Sequence, residues 1–113
     1  MNDEQLGFGT RCLHVGQGPD SATGAAVPPI YQTSSYEFPD ADTAAARYAL
    51  EDEGTVYSRI ANPTVRALEK RLASLEGGVD ALATASGMGA LAAATLALAE
   101  AGDNVLCASS AYG

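Results

Sequence analysis

Tyr57, Ser58 and Arg59 set a phenol, a hydroxyl and a guanidinium on three consecutive residues, just before a proline-led helix start at Asn62-Pro63-Thr64. Further on, with Gly87 thirty residues beyond Tyr57, the run Ala85-Ser86-Gly87-Met88-Gly89-Ala90 puts a serine and two glycines where a short apolar segment turns into another helix. Both are devices for holding an anion. A guanidinium meets phosphate oxygens two at a time, and a phenol adds one more donor. Free N–H groups at a helix start, with the positive end of its dipole, attract the same chemistry, and glycine lets the anion come close. Each motif also has a plainer reading, as a Tyr-x-Arg pair in a surface turn and as a serine N-cap on a helix that follows a strand. Tyr112 sits just past a second apolar segment, where open α/β sheets place their ligands.

The elements that must position these residues follow from the pattern. Residues 1–38 carry Gly16, Gly18, Pro19, Gly24, Pro28 and Pro29 without helical periodicity, and residues 30–36 favour extended backbone. Such a segment lies across a larger body or reaches to a partner. A short helix is predicted over residues 43–51, capped by Asp42 and ended near Gly54. The next helix has Asn62 as cap and Pro63 at its first position, with Val65, Leu68, Leu72 and Leu75 at spacings of 3, 4 and 3. Glu76-Gly77-Gly78 ends it, and Arg66, Glu69, Lys70 and Arg71 fall on the exposed face. Residues 81–85 read as a short strand, 88–101 as an almost wholly apolar helix ended by Gly102, and 105–108 as a second strand. Strand–helix–strand, apolar on every face, implies a parallel sheet covered on both sides. Two strands cannot supply it, so the chain reads as the front of a larger α/β protein.

Composition bounds the function. The 113 residues allow one domain at most, and 47% apolar content suffices for a core. With 14 acidic against 6 basic residues the formal charge is −8, which leaves no basic stripe for nucleic acid. Cys12 and Cys107 stand 95 residues apart with no companion histidines, so neither a disulfide framework nor a zinc site is expected. His14 has no second ligand nearby, and no metal is expected. The opening Met1-Asn2-Asp3-Glu4-Gln5 is unlike a signal or transit peptide, and the apolar run from Met88 is too short to span a bilayer. A cytoplasmic protein without a membrane partner is expected.

One rival reading belongs to Gly87-Met88-Gly89-Ala90-Leu91-Ala92, which matches the G-x-G-x-x-A dinucleotide fingerprint between strand and helix. That fold needs an acidic residue at the end of the next strand to hold the ribose. Here the strand ends Ala108-Ser109-Ser110, and Asp103 falls before it. The fingerprint also opens its domain, whereas this one follows two helices. The nicotinamide or flavin reading is therefore the weaker one.

Several motifs in order resemble the Cys/Met-metabolism family of pyridoxal-phosphate enzymes. They are residues 10–17, residues 24–36, Tyr57-Ser58-Arg59 with Asn62-Pro63-Thr64, Leu75-Glu76-Gly77-Gly78, Ser86-Gly87-Met88 and Tyr112-Gly113. The resemblance runs from Gly7 onward. It implies a fold-type I transferase, with residues 1–56 as an N-terminal arm carrying a short helix at the subunit interface. Residues 57–113 would begin the cofactor-binding large domain, a mixed, mostly parallel sheet with helices on both faces, incomplete here. Pyridoxal 5'-phosphate is the implied cofactor, and a homodimer or homotetramer the implied assembly. By the same resemblance, Tyr57, Ser58 and Arg59 bind the cofactor of the neighbouring subunit, with Tyr57 and Arg59 reaching its phosphate. Ser86, Gly87 and Met88 line the phosphate of the subunit's own cofactor, and Tyr112 lies over the pyridine ring as a catalytic proton-transfer residue.

Within the family, residues 16–24 and 44–50 look most like the O-acetylhomoserine sulfhydrylases, which exchange an activated γ-substituent for sulfide or a thiol. Ser86-Gly87-Met88-Gly89-Ala90 is nearer to the lyases, so cystathionine γ-synthase and the methionine or cystathionine γ-lyases stay as alternatives. The family's cofactor lysine and substrate-carboxylate arginine belong further downstream. Lys70, the single lysine, lies on the exposed helix face and does not replace it. These 113 residues alone are expected to be inactive, and a stand-alone interaction remnant is the alternative of a different class.

Overall fold

A computed structural model describes residues 5–112, which form four helices: α1 (Phe8–His14), α2 (Ala41–Tyr48), α3 (Pro63–Glu76) and α4 (Gly87–Leu98). Met1-Asn2-Asp3-Glu4 and Gly113, the second residue of the Tyr112-Gly113 motif, lie outside the described residues. Two compact units divide the chain, Met1–Ala81 and Leu82–Gly113.

In the first unit α3 begins and ends as its sequence predicts. The Asn62 carboxamide oxygen accepts the Thr64 N–H at 2.9 Å, Pro63 takes the first turn, and Gly77 closes the helix at φ 69°. What α3 buries is a correction. Its expected exposed face holds the buried Glu69 and the half-buried Arg66 and Arg71, while Lys70 is exposed as predicted. Val65, Leu68 and Leu72 are instead 40%, 50% and 44% exposed. The reason lies in the arm that docks here, which brings backbone carbonyls in need of donors. Arg71 Nε donates to the Val15 carbonyl at 2.9 Å, and Arg11 donates back to the Ser74 carbonyl at 2.5 Å. Leucines cannot make such bonds.

The same docking explains α1, a helix that residues 1–38 give no periodic sign of. Its seven residues start at Gly7 without a side-chain cap, and Gly9 lies inside it. Packing on α3 supplies what propensity lacks, and Arg11 and His14 fall in the last turn, where the dipole favours cations. Val15, just past α1, and Ala73 on α3 are both buried. Gly16 then turns the chain at φ 84°, so close to α3 that a Cβ would sit 2.3 Å from the Ala67 carbonyl oxygen.

Boundaries elsewhere shift for local reasons. Asp40, not Asp42, caps α2, its carboxylate accepting the Thr43 N–H at 2.7 Å, and the helix starts at Ala41. It ends at Tyr48 rather than Glu51, because Leu50 takes a left-handed φ of 60° and the Glu51 N–H returns to the Ala46 carbonyl at 2.9 Å. In the second unit α4 ends at Leu98, short of residue 101, with the Ala99 N–H on the Thr95 carbonyl. Residues 81–85 and 105–108 carry no strand; the β-pairing among the described residues is an isolated antiparallel bridge between Ser35 and Tyr57. A strand exists through its ladder, and no ladder runs along either segment among the described residues. α4 has no buried residue, and Leu96 and Leu98 are more than four-fifths exposed. Apolar all round, it is a helix built to lie inside a larger body.

Gly16→Ala should destabilise the first unit by about 2–4 kcal/mol, since it adds a left-handed penalty to a backbone clash. Chemical denaturation of the full-length protein measures this, and a loss near zero would show that the arm does not hold this approach to α3.

Candidate functional site

The Tyr57-Ser58-Arg59 segment is a turn fixed from two directions. Within it, the Tyr57 carbonyl accepts the N–H groups of Ile60 at 2.8 Å and Ala61 at 3.0 Å. Across it lies the arm. The Ser58 N–H donates to the Ser34 carbonyl at 2.9 Å beside the Ser35–Tyr57 bridge, and the Ser58 hydroxyl donates to the Thr33 carbonyl. Asn62 closes the arrangement: its Nδ2 donates to the Tyr31 carbonyl at 2.9 Å, to Ser58 Oγ at 2.9 Å and toward Tyr36 Oη at 3.4 Å. The Tyr31 N–H reaches Thr64 Oγ1 at 2.9 Å. Two helix-start residues thus hold the backbone N–H and carbonyl of one arm residue, Tyr31. Upstream, Arg47 closes the loop between α2 and the turn, bonding to Asp52 at 2.9 Å and to the Thr55 carbonyl at 3.4 Å.

Arg59 stands apart from this network. Its guanidinium lies 5.3 Å from the centre of the Tyr57 ring. Among the described residues it is the one arginine without an oxygen partner. Arg11 has Ser74, Arg47 has Asp52, Arg66 has Asp80 and Glu69, and Arg71 has Val15. The Arg59 side chain is exposed and Tyr57 is 39% exposed, so a cation and a phenol are offered together to solvent.

In the second unit Ser86 caps α4 as the sequence predicts, its Oγ accepting the Gly89 N–H at 3.0 Å. Thr84 Oγ1 donates to the Ser86 carbonyl at 2.8 Å and fixes the approach to the turn. The N–H groups of Gly87 and Met88 have no acceptor among the described residues, and nothing lies within 4 Å of where a Gly87 side chain would point. Tyr112 joins Ser86, Gly87 and Met88 around one open cleft of about 590 Å³, a volume in the range of small-molecule sites. Leu91 completes the lining. The sequence motif did not single it out, although its place one turn after Gly87 and Met88 could have. No group of three or more potential metal ligands gathers among the described residues.

Sequence reasoning also missed two partnerships. Asn62 was legible as a cap, but not as a donor to an arm residue 31 positions away. Arg66 meets Asp80 through two bonds of 2.7 Å across the Gly77-Gly78 turn, a pairing no helical spacing announces. Those bonds, with the Ala81 N–H, lower the Asp80 pKa to about 2.

Residues 9–113 match the family model described as Cys/Met metabolism PLP-dependent enzyme. An O-acetyl-L-homoserine sulfhydrylase from Corynebacterium glutamicum is 52% identical over 99% of this chain and 26% of its own length. An L-methionine gamma-lyase from Pseudomonas putida is 50% identical over 95% of this chain and 27% of its own. Among solved structures, a chain described as an O-acetylhomoserine (thiol)-lyase from Campylobacter jejuni, with N'-pyridoxyl-lysine-5'-monophosphate, superposes with a TM-score of 0.78. It is 41% identical and covers 91% of this chain and 24% of that one. The chain thus spans about a quarter of the length of the relatives it matches. No helix among the described residues is long and apolar enough to cross a membrane.

The Asp80 carboxylate is bonded in the folded state, so its stabilising effect is present above the ordinary carboxylate pKa near 3.9 and lost as pH falls through about 2. Asp80→Asn should therefore lower the melting temperature of the full-length protein at neutral pH, and the gap from the parent should close between about pH 4 and pH 2. A gap that stayed constant down to pH 2 would remove Asp80 ionisation from the account.

Proposed function

Because this chain belongs to the Cys/Met-metabolism family of pyridoxal-phosphate-dependent enzymes, of the fold-type I class, we propose that it is the N-terminal part of an O-acetylhomoserine sulfhydrylase. The reaction is replacement of the γ-acetoxy group by sulfide or a thiol. The observation that carries this reading is the 52% identity to a sulfhydrylase over nearly the whole chain, joined by a second protein of that name from Leptospira meyeri at 51%. A second reading, methionine γ-lyase, has its own support in the 50% identity to the Pseudomonas putida enzyme and in Ser86-Gly87-Met88.

The residues present fit a phosphate-bearing cofactor. Arg59 lacks an oxygen partner, and the Gly87 and Met88 N–H groups lack acceptors. In this proposal the Tyr57-Ser58-Arg59 turn serves the cofactor of the neighbouring subunit through the Tyr57 phenol and the Arg59 guanidinium, and Ser86, Gly87 and Met88 hold the phosphate of their own subunit's cofactor. Charge and hydrogen bonds from the turn, and the helix dipole behind Gly87, balance the phosphate's negative charge. Tyr112 covers the cofactor ring and moves a proton near the substrate through its phenol. When bound, the cofactor supplies an electron sink that makes the protons at Cα and Cβ of the amino acid removable. The protein's part is to orient the substrate and keep competing elimination slow.

Residues 1–56 are proposed as the interface arm and residues 57–113 as the start of the cofactor-binding large domain. There residues 81–85 and 105–108 become strands of a mostly parallel sheet once neighbouring strands complete their ladders. The assembly is a homodimer or homotetramer acting in the cytoplasm, and the cofactor lysine lies outside these residues, since the exposed Lys70 has no place in either turn.

Assay of the full-length protein with O-acetylhomoserine and sulfide should give homocysteine and acetate as the main products. Efficient γ-elimination from methionine with no replacement product would transfer the assignment to the lyases.

A further inference from the structure

We infer that Asn62 is a positioning residue for the Tyr57–Arg59 phosphate grip, acting through Ser58 and the arm, and that the Ser58 hydroxyl serves this clasp rather than the cofactor. The inference rests on the proposed role of Tyr57 and Arg59. Its basis is the division of labour around one buried carboxamide, 8% exposed. The Asn62 oxygen caps α3 through the Thr64 N–H at 2.9 Å. Its nitrogen does something a cap does not require, donating to the Tyr31 carbonyl and to Ser58 Oγ at 2.9 Å each. Ser58 Oγ in turn donates its hydrogen bond to the Thr33 carbonyl, so the hydroxyl is committed on both sides.

This geometry decides where the neighbours of Ser58 point. With Ser58 turned onto the arm, Arg59 is left stacked beside the Tyr57 ring and free of any oxygen partner among the described residues. A phosphate then meets a guanidinium and a phenol already gathered, without the cost of ordering a long side chain. Without the Asn62 nitrogen, Ser58 and the Tyr31 carbonyl lose their common donor and the turn can rotate away from the arm.

Asn62→Asp separates the two functions, because aspartate caps a helix as well as asparagine does but cannot donate from its second oxygen. The readout is the ratio of affinities of the full-length apoprotein for pyridoxal 5'-phosphate and for pyridoxal, which isolates the phosphate's share of binding. Arg59→Ala should shrink that ratio, and Asn62→Asp should shrink it about tenfold, with little further loss when added to Arg59→Ala, as for residues acting in one unit. Ser58→Ala should shrink it less than Arg59→Ala. Failure of Arg59→Ala to change the ratio would sink the phosphate grip itself. A normal response to Arg59→Ala with an unchanged ratio in Asn62→Asp, or with full additivity in the double variant, would overturn the positioning role alone. Circular dichroism at 222 nm guards against general misfolding, and equal weakening of both ligands by Asn62→Asp would also count against it.

Discussion

The Asn62 carboxamide sits at the centre of the hydrogen bonds that tie residues 31–36 to the Tyr57 turn and the start of α3. Residues 31–36 carry no helix and no ladder beyond one bridge, and in the Tyr57 turn Tyr57, Arg59 and Ile60 are exposed. Hydrogen bonds, each worth about 1 kcal/mol net, are what hold them. α3 is the rigid part of this arrangement. It starts at the clasp, presents Thr64 and Asn62 to the arm, and carries Arg66, Glu69 and Arg71 to α1 and the Gly77-Gly78 turn.

This dependence on α3 explains an inversion that a hydrophobic pattern alone would not suggest. The arm needs donors, so it settles on the helix side that bears arginines, and the side bearing Val65, Leu68 and Leu72 stays about half exposed. In the first unit, polar satisfaction outranks apolar burial because only Val15, Val56 and Ala73 are buried apolar residues among those described. The large apolar residues of α4 and residues 105–106 carry the complementary message: Leu96, Leu98 and Leu106 are more than four-fifths exposed. The relatives are about four times longer than this chain.

What could be read from the sequence was what is encoded locally. Asn62-Pro63 and Gly77 delimit α3, and Ser86 starts α4, because capping and left-handed closure are single-residue effects. The chemistry of Tyr57, Arg59, Gly87 and Met88 makes them candidates for holding an anion, and the structure leaves the Arg59 guanidinium and the Gly87 and Met88 N–H groups without partners among the described residues. What was illegible depends on distant contacts. α1 exists through α3; the left-handed Leu50 ends α2 against its intrinsic preference; and Asp80 finds Arg66 only after the chain has turned. The expected strands failed to appear for the same reason, since a ladder is a property of two segments and not of one.

The central claim is that the Tyr57–Arg59 turn grips the phosphate of a cofactor seated in the neighbouring subunit. Hybrid assembly tests it most directly. Full-length chains bearing Arg59→Ala are mixed, by reversible denaturation, with chains in which the cofactor lysine is replaced. In a two-fold dimer each hybrid rebuilds one intact site, so activity should return to about a quarter of the parental level from two parents with little of their own. Hybrids shown to form, yet as inactive as either parent, would contradict the account and place Arg59 in service of its own subunit or of none.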